Sequence, residues 1–273
     1  MPGIFNMKNS NVLAKSRGVL LFAFNTELVD YVRIAEQAAR LIHHTLNLPV
    51  TLVTETGVVT EHIDTTIYVE NTIKNFRTGY AGGSEWRNCG RYQAYELSPY
   101  DETLLLDSDY LMLDTNLLKI LDTVTDYAVA TDSQNTKRSM NSPMGQLDFV
   151  WATAVAFKRT AKSELLFSLV RRIQDNYAYY RKLYNIPQRN FRNDYAFAIA
   201  DNMLNGYTKT ITIPWSILTL EDPITAIEIQ EHRLVVREQE RAHLIPKQNI
   251  HVIDKDYLLS DQHTKFVDQI CQS

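Results

Sequence analysis

Asp107 and Asp109, two carboxylates separated by Ser108, are the residues of this 273-residue chain best suited to chemistry. Oxygen ligands of this kind hold hard divalent cations, and such a cation neutralises a diphosphate and stabilises it as a leaving group. Acidic triplets also arise by chance, and then they cap a helix or a turn. The setting here argues for more. Thr103-Leu104-Leu105-Leu106 reads as a short buried strand, and Tyr110-Leu111-Met112-Leu113 follows the triplet, so charge is forced to the rim of a core. Buried carboxylates need partners, and open α/β sheets bind ligands at the C-terminal ends of their strands.

A second chemical feature is the distribution of charge. The chain has a formal net charge of -4, yet from Lys158 to Arg192 nine basic residues face two acidic ones, so that stretch is +7 and the remainder -11. Tyr177, Tyr179, Tyr180, Tyr184 and Phe191 are interleaved with the basic residues, and Lys137 and Arg138 lie upstream. Phosphate contacts and base stacking use this mixture, whereas a solvated basic helix needs no ligand to explain it. Several chemistries lack their parts: there is no G-x-x-x-x-G-K-[ST], G-x-G-x-x-G, G-x-S-x-G or H-E-x-x-H. Cys89 and Cys271 are the only cysteines and neither sits in a C-x-x-C pair, so neither a disulfide scaffold nor a zinc site follows. His43 and His44 are adjacent on a helix, where their side chains diverge, and read as structural.

The elements that must position these groups are legible in outline. At 45% apolar content the chain has ample material for one α/β domain. Residues 1–17 read as a loose arm, and residues 18–273 as the domain. Gly18 to Phe24 is a continuous apolar run, and Asn25-Thr26 looks like a helix start. Leu28, Val32, Ala35, Ala39, Ile42 and Leu46 then recur at helical spacing. Strands at Val50–Thr54 and Thr65–Val69 complete a β-α-β-β opening, which predicts a parallel sheet covered on both faces. A helical segment is expected over Glu85–Leu97, a helix over Leu117–Leu121, a strand over Tyr127–Thr131 and a mobile loop above the site over Asp132–Asp148. A strand over Val150–Phe157 precedes the basic helical stretch. A helix over Asn193–Leu204 stopped by Gly206, and a strand at Ile250–Ile253, close the outline. The longest apolar run near the N-terminus, Val19–Phe24, is too short to span a bilayer, which predicts a soluble cytoplasmic protein without a transmembrane segment.

From Arg91 to Asp114 the sequence RYQAYELSPYDETLLLDSDYLMLD resembles the donor-binding core of GT-A glycosyltransferases, above all the glycogenin-like family 8 enzymes. The resemblance runs in order from about Gly18 to Leu259, strongest in the middle. It implies a GT-A, Rossmann-like α/β fold in a single domain, with a mostly parallel mixed sheet flanked by helices. It also implies a hexosyl- or pentosyltransferase that moves a sugar from a nucleotide-diphosphate donor, UDP by analogy, to a hydroxyl acceptor with retention. In its terms Asp107, Asp109 and His251 hold manganese, or else magnesium; an imidazole ligand suits the former better. Arg91, where the family usually has lysine, contacts the donor, and Asp194 holds the sugar near its anomeric carbon. Phe22, Ala23, Phe24 and Asn25 line the base and ribose with Tyr31 nearby, and Ser108 and Lys255 complete the donor contacts. The family's sugar-facing strand falls on Trp151-Ala152-Thr153-Ala154 without its asparagine and glycine, and the usual Gly-x-x-Lys-Pro-Trp ending is missing. Two acceptor classes stand open: a hydroxylated base in nucleic acid, reached through the basic 158–192 segment, or a saccharide, lipid-linked or protein hydroxyl. The alternatives to transfer are a sugar-nucleotide nucleotidyltransferase, which would need a Gly-rich loop where Asn25-Thr26-Glu27 stands, and a non-catalytic nucleotide-binding module.

Overall fold

The structure is a computed structural model and describes residues 16–70, 75–77, 84–137, 139–140, 147–206, 208, 212–238 and 241–272. Its first strand, β1 (Arg17–Phe22), is buried from Gly18 onward. An apolar run with no polar alternation must lie between two covered faces. β1 does so, pairing in parallel with both β2 (Val50–Thr54) and β6 (Glu102–Leu106). Between β1 and β2 runs α1 (Tyr31–Leu46), whose Val32, Ala35, Ala39, Ile42 and Leu46 are buried as the spacing requires. Leu28 departs from the expectation: it precedes the helix and is 88% exposed. Asn25 and Thr26 form a turn of their own, Thr26 Oγ1 accepting from the Val29 amide at 3.1 Å and Asn25 Oδ1 from the Val32 amide at 2.9 Å, and Asp30 supplies the N-cap.

The central sheet has seven strands in the order β11-β8-β10-β6-β1-β2-β3. Here β3 is Thr65–Tyr68, β8 Tyr127–Ala130, β10 Trp151–Lys158 and β11 Thr212–Ile213. Only β10 runs against the others, so the sheet is mixed and mostly parallel, as expected. Where a helix was expected over Glu85–Leu97, the structure has β4 (Asn75–Arg77) paired with β5 (Ser84–Trp86), a 3-10 helix at Asn88–Gln93 and then α2 (Ala94–Leu97). Gly90 weakens a helix at that point, and the tighter 3-10 winding takes its place. Further along come α3 (Asn116–Thr123), α4 (Ala161–Asp175), α5 (Tyr177–Leu183) and α6 (Asn193–Leu204), with Gly206 at a positive φ of 61° just past α6. Packing across β1 is close: a Cβ on Gly18 would lie 2.2 Å from the Tyr100 ring, whose hydroxyl bonds to Thr51 Oγ1 at 2.8 Å.

A second, four-stranded sheet has the order β7-β16-β12-β9: β7 is Tyr110–Leu111, β9 Ser133–Gln134, β12 Ile217–Leu220 and β16 Ile250–Val252. β9 corrects part of the loop expected over Asp132–Asp148, because Ser133 and Gln134 pair with β12. Ser133 Oγ is buried and donates to the Ile217 carbonyl at 2.9 Å. Arg138 and residues 141–146 of that expected loop lie outside the described residues. Between β12 and β16 the chain makes an antiparallel three-stranded sheet, β13 (Ile224–Gln230), β14 (Arg233–Glu238) and β15 (Arg241–Pro246). The chain then ends in α7 (Lys255–Leu258) and α8 (Asp261–Cys271), the latter packed on α1.

Candidate metal and donor site

The site is assembled where the two sheets meet. β6 delivers Asp107, whose amide bonds to the Thr153 carbonyl of β10 at 2.9 Å. The chain turns there, the Tyr110 amide bonding back to the Asp107 carbonyl at 3.2 Å, and enters β7. β7 pairs antiparallel with β16, which sets His251 opposite Tyr110, and the Val252 amide bonds to the Asp109 carbonyl at 2.9 Å. Asn249 locks this junction: its Oδ1 accepts from the Leu113 and Asp114 amides at 2.7 and 2.9 Å, and its Nδ2 donates to Asp114 Oδ1. One ligand atom each from Asp107, Asp109 and His251 thereby falls within 4.8 Å of the others.

The electrostatics of the trio are unequal. Burial pushes the Asp107 carboxyl above its usual range; Arg91 opposes this, while Asp109 and Asp194 reinforce it. Burial acts on Asp109 in the same direction, but Lys255 and His251 outweigh it and hold that carboxyl well below the ordinary range. Arg91, 2% exposed, donates Nη1 to Asp107 Oδ1 at 2.6 Å, and its buried Nη2 has no hydrogen-bond partner among the described residues. Lys255 Nζ donates to Asp109 Oδ2 and to the Val252 carbonyl. His251 Nε2 stands 3.4 Å from Asp109 Oδ1 without hydrogen-bond geometry, so that buried oxygen is also without a hydrogen-bond partner among the described residues. On the other side of the ring, Nδ1 lies 3.4 Å from Thr219 Oγ1, itself 3.0 Å from Ser133 Oγ. In the neutral tautomer that carries its proton on Nδ1 toward Thr219, His251 no longer offers Asp109 a positive charge and turns an Nε2 lone pair toward Oδ1 instead. A cation between Nε2 and Oδ1 satisfies both.

Asp194 sits in the first turn of α6 and is buried; its Oδ1 accepts from the Ala152 amide at 3.1 Å and its Oδ2 from Arg192 Nε at 2.9 Å. Nearby, Asn193 donates to the Asn88 carbonyl at 2.8 Å. Asn193 Oδ1, Asn88 Oδ1 and Trp151 Nε1 are buried without hydrogen-bond partners among the described residues. Phe22, Ala23, Phe24 and Ser108 are all buried, and Tyr31 opens α1. Sequence reading missed Arg87, which pairs with Glu55 beyond β2 and donates to the Asn25 carbonyl at 2.8 Å, tying the 3-10 segment to the end of β1. Its nearest sequence signal is its place four residues before Arg91 on a helical segment. The basic segment is less open than its composition suggests. Tyr177, Tyr180 and Phe191 are buried, Tyr184 is half-buried, Arg192 is paired with Asp194, and Tyr179 alone of those aromatics is exposed. Lys137 pairs with Asp222.

No protein-family model matches the chain, and no curated protein matches it. Solved structures do match. The glycosyltransferase GlyE of Streptococcus pneumoniae is 13% identical with a TM-score of 0.39, over 70% of this chain and 43% of that one, so this chain spans less than half of the pneumococcal protein. Mouse xyloside xylosyltransferase 1 is 12% identical with a TM-score of 0.44, over 72% of this chain and 84% of that one. The galactosyltransferase LgtC, solved with donor and acceptor sugar analogs, is 13% identical with a TM-score of 0.48, over 67% of this chain and 69% of that one.

Proposed function

We propose that the chain is a metal-assisted glycosyltransferase that moves a sugar from a nucleotide-diphosphate donor to a hydroxyl acceptor. The observation that carries this is convergence: Asp107 and Asp109, from the turn that joins β6 to β7, and His251, from β16, present three ligand atoms within 4.8 Å of one another. Around them the unsatisfied Asp109 oxygen and the raised Asp107 carboxyl both ask for more positive charge than Arg91 and Lys255 provide. Two carboxylates and an imidazole are a donor set that fits manganese better than magnesium. When bound, that ion supplies Lewis-acid stabilisation of the departing diphosphate.

The chain's own groups have separable roles in this proposal. Arg91 holds Asp107 in one orientation through Nη1 and keeps Nη2 for a donor oxygen. Lys255 sets its ammonium beside Asp109, where it offsets the diphosphate charge that grows as the glycosidic bond breaks. Asp194, braced by Arg192 and the Ala152 amide, fixes the donor sugar, and the unsatisfied Asn193, Asn88 and Trp151 polar atoms are the groups we assign to its hydroxyls. Contact with the base and ribose is assigned to the turn after β1 at Asn25 and to Tyr31, with the buried Phe22, Ala23 and Phe24 behind them. The default donor is a UDP-sugar with retention of configuration, by resemblance alone.

The test is manganese-dependent hydrolysis of a panel of UDP-sugars by the purified protein and by Asp109→Ala. Loss of turnover in the variant, with manganese binding lost by electron paramagnetic resonance titration, is the expected result. Turnover unaffected by Asp109→Ala sinks the assignment. Manganese-dependent nucleotide binding without turnover on any donor points instead to the binding-module reading.

A further inference from the structure

Away from the site, exposed apolar side chains are unevenly spread over the described surface. Leu165, Tyr179 and Leu183, respectively 50%, 63% and 59% exposed, all lie on α4 and α5. They are aligned as well as exposed. Leu165, Ser168, Arg172, Asn176, Tyr179 and Leu183 follow one another at steps of three and four, the spacing of one helical stripe, and each is exposed. Asn176, at φ -122°, separates the two helices; its amide bonds to the Arg172 carbonyl at 3.2 Å and its carbonyl accepts from the Tyr179 amide at 3.0 Å, so the backbone stays bonded through the junction. The opposite sides are core: Leu166, Phe167, Val170, Ile173, Tyr177 and Tyr180 are buried.

Charge around the stripe is net positive: Lys162, Arg171, Arg172 and Lys182 are exposed on α4 and α5 against exposed Glu164 and Asp175. Among the described residues Arg172 and Lys182, and Arg189 in the chain that follows α5, pair with no carboxylate. Arg171 reaches Asp175 only at 4.0 Å, between two exposed side chains, a contact worth little. Scattered single apolar residues need no explanation; an aligned set flanked by unpaired cations does. A nucleic acid would ask for a row of stacking rings, and burial leaves Tyr179 alone to provide it. A bilayer surface asks for what is present: leucines to enter the acyl boundary, a tyrosine for the interface, and long cationic side chains that snorkel to phosphates. Among the described residues no helix is long and apolar enough to cross a membrane, so any attachment by this face is peripheral.

We propose that the α4–α5 stripe docks on an anionic lipid bilayer. The docking segment leads through Ile186–Arg192 to the Arg192–Asp194 pair, so a docked molecule would have the chain of its site continuous with the surface it rests on. The proposal does not depend on glycosyl transfer.

Co-sedimentation with vesicles of phosphatidylcholine alone, and of phosphatidylcholine mixed with phosphatidylglycerol, tests it. The full chain is expected to sediment with the mixed vesicles only, and less as salt rises. Arg172→Gln, Lys182→Gln and Arg189→Gln together should weaken binding roughly a hundredfold, at about fivefold for each charge. Leu165→Ser with Leu183→Ser should weaken it as well, and Tyr179→Trp should blue-shift its emission on the vesicles. All of these positions are exposed, so circular dichroism and melting should be unchanged. Failure to bind mixed vesicles, a charge variant that binds like the parent, an unmoved tryptophan spectrum, or capture by duplex DNA with vesicles ignored would each overturn it.

Discussion

His263, on α8, gives the sharpest quantitative expectation. Its ring is fully buried between Tyr257, at 5.3 Å between centroids, and Phe266, and neither nitrogen has a hydrogen-bond partner among the described residues. Burial lowers its pKa to about 4, and Arg33 and Arg40 on α1 push the same way. The unfolded chain holds this histidine at an ordinary 6.5, so below that pH the unfolded state takes up a proton that the folded state refuses. The penalty is negligible at pH 7.5. It grows to about 2 kcal/mol at pH 5 and about 3 kcal/mol at pH 4, and levels off once both states are protonated. Replacing the ring by an aliphatic group of similar bulk, His263→Leu, removes the titration. Urea unfolding of both proteins from pH 7.5 to 4 should show the parent losing about 2 kcal/mol more than the variant by pH 5. Parallel stability curves over that range, or the His263 resonance itself, assigned by its loss in His263→Leu, titrating near the ordinary pKa, would refute the reasoning.

Two other perturbations probe how the fold serves the site. Gly18→Ala places a methyl within the Tyr100 ring and should cost about 1–3 kcal/mol, read as a lowered melting temperature. Thr219→Val removes the hydroxyl facing His251 Nδ1 and should weaken manganese affinity roughly 10–100-fold by paramagnetic resonance titration, with melting little changed if the role is orientation.

The carboxylate pair is legible because the strand before it is an unbroken apolar run, and an unbroken run must end where charge can surface. The first sheet is legible for the same reason: β1, β2 and β6 are buried strands, and α1 shows its buried face at helical spacing. His251 is different. Its approach to Asp109 depends on β7 and β16, and the three-residue β16 and two-residue β7 are too short for any alternation to register. Only resemblance could propose the histidine, and only the strand pairing places it. The hairpin of β13 and β14 had a readable alternation on both sides, Ile227 and Ile229 against Leu234 and Val236. Its turn is disguised, because Glu231, at φ 55°, occupies a left-handed position that glycine or asparagine usually marks.

The aromatics of the basic segment teach the opposite lesson. Composition puts Tyr177, Tyr180 and Phe191 among arginines and suggests a stacking face, but α5 needs an apolar side to rest on the core, which Tyr177 and Tyr180 supply, and Phe191 packs against Tyr177 from beyond the helix. What remains outside is the complement of that requirement: an excess of cations over Glu164 and Asp175, together with Leu165, Tyr179 and Leu183. Spacing along the helices separates the two sets where composition cannot. The exposed stripe is therefore a surface property that the core does not dictate, and a reason for it has to be sought in what the surface meets.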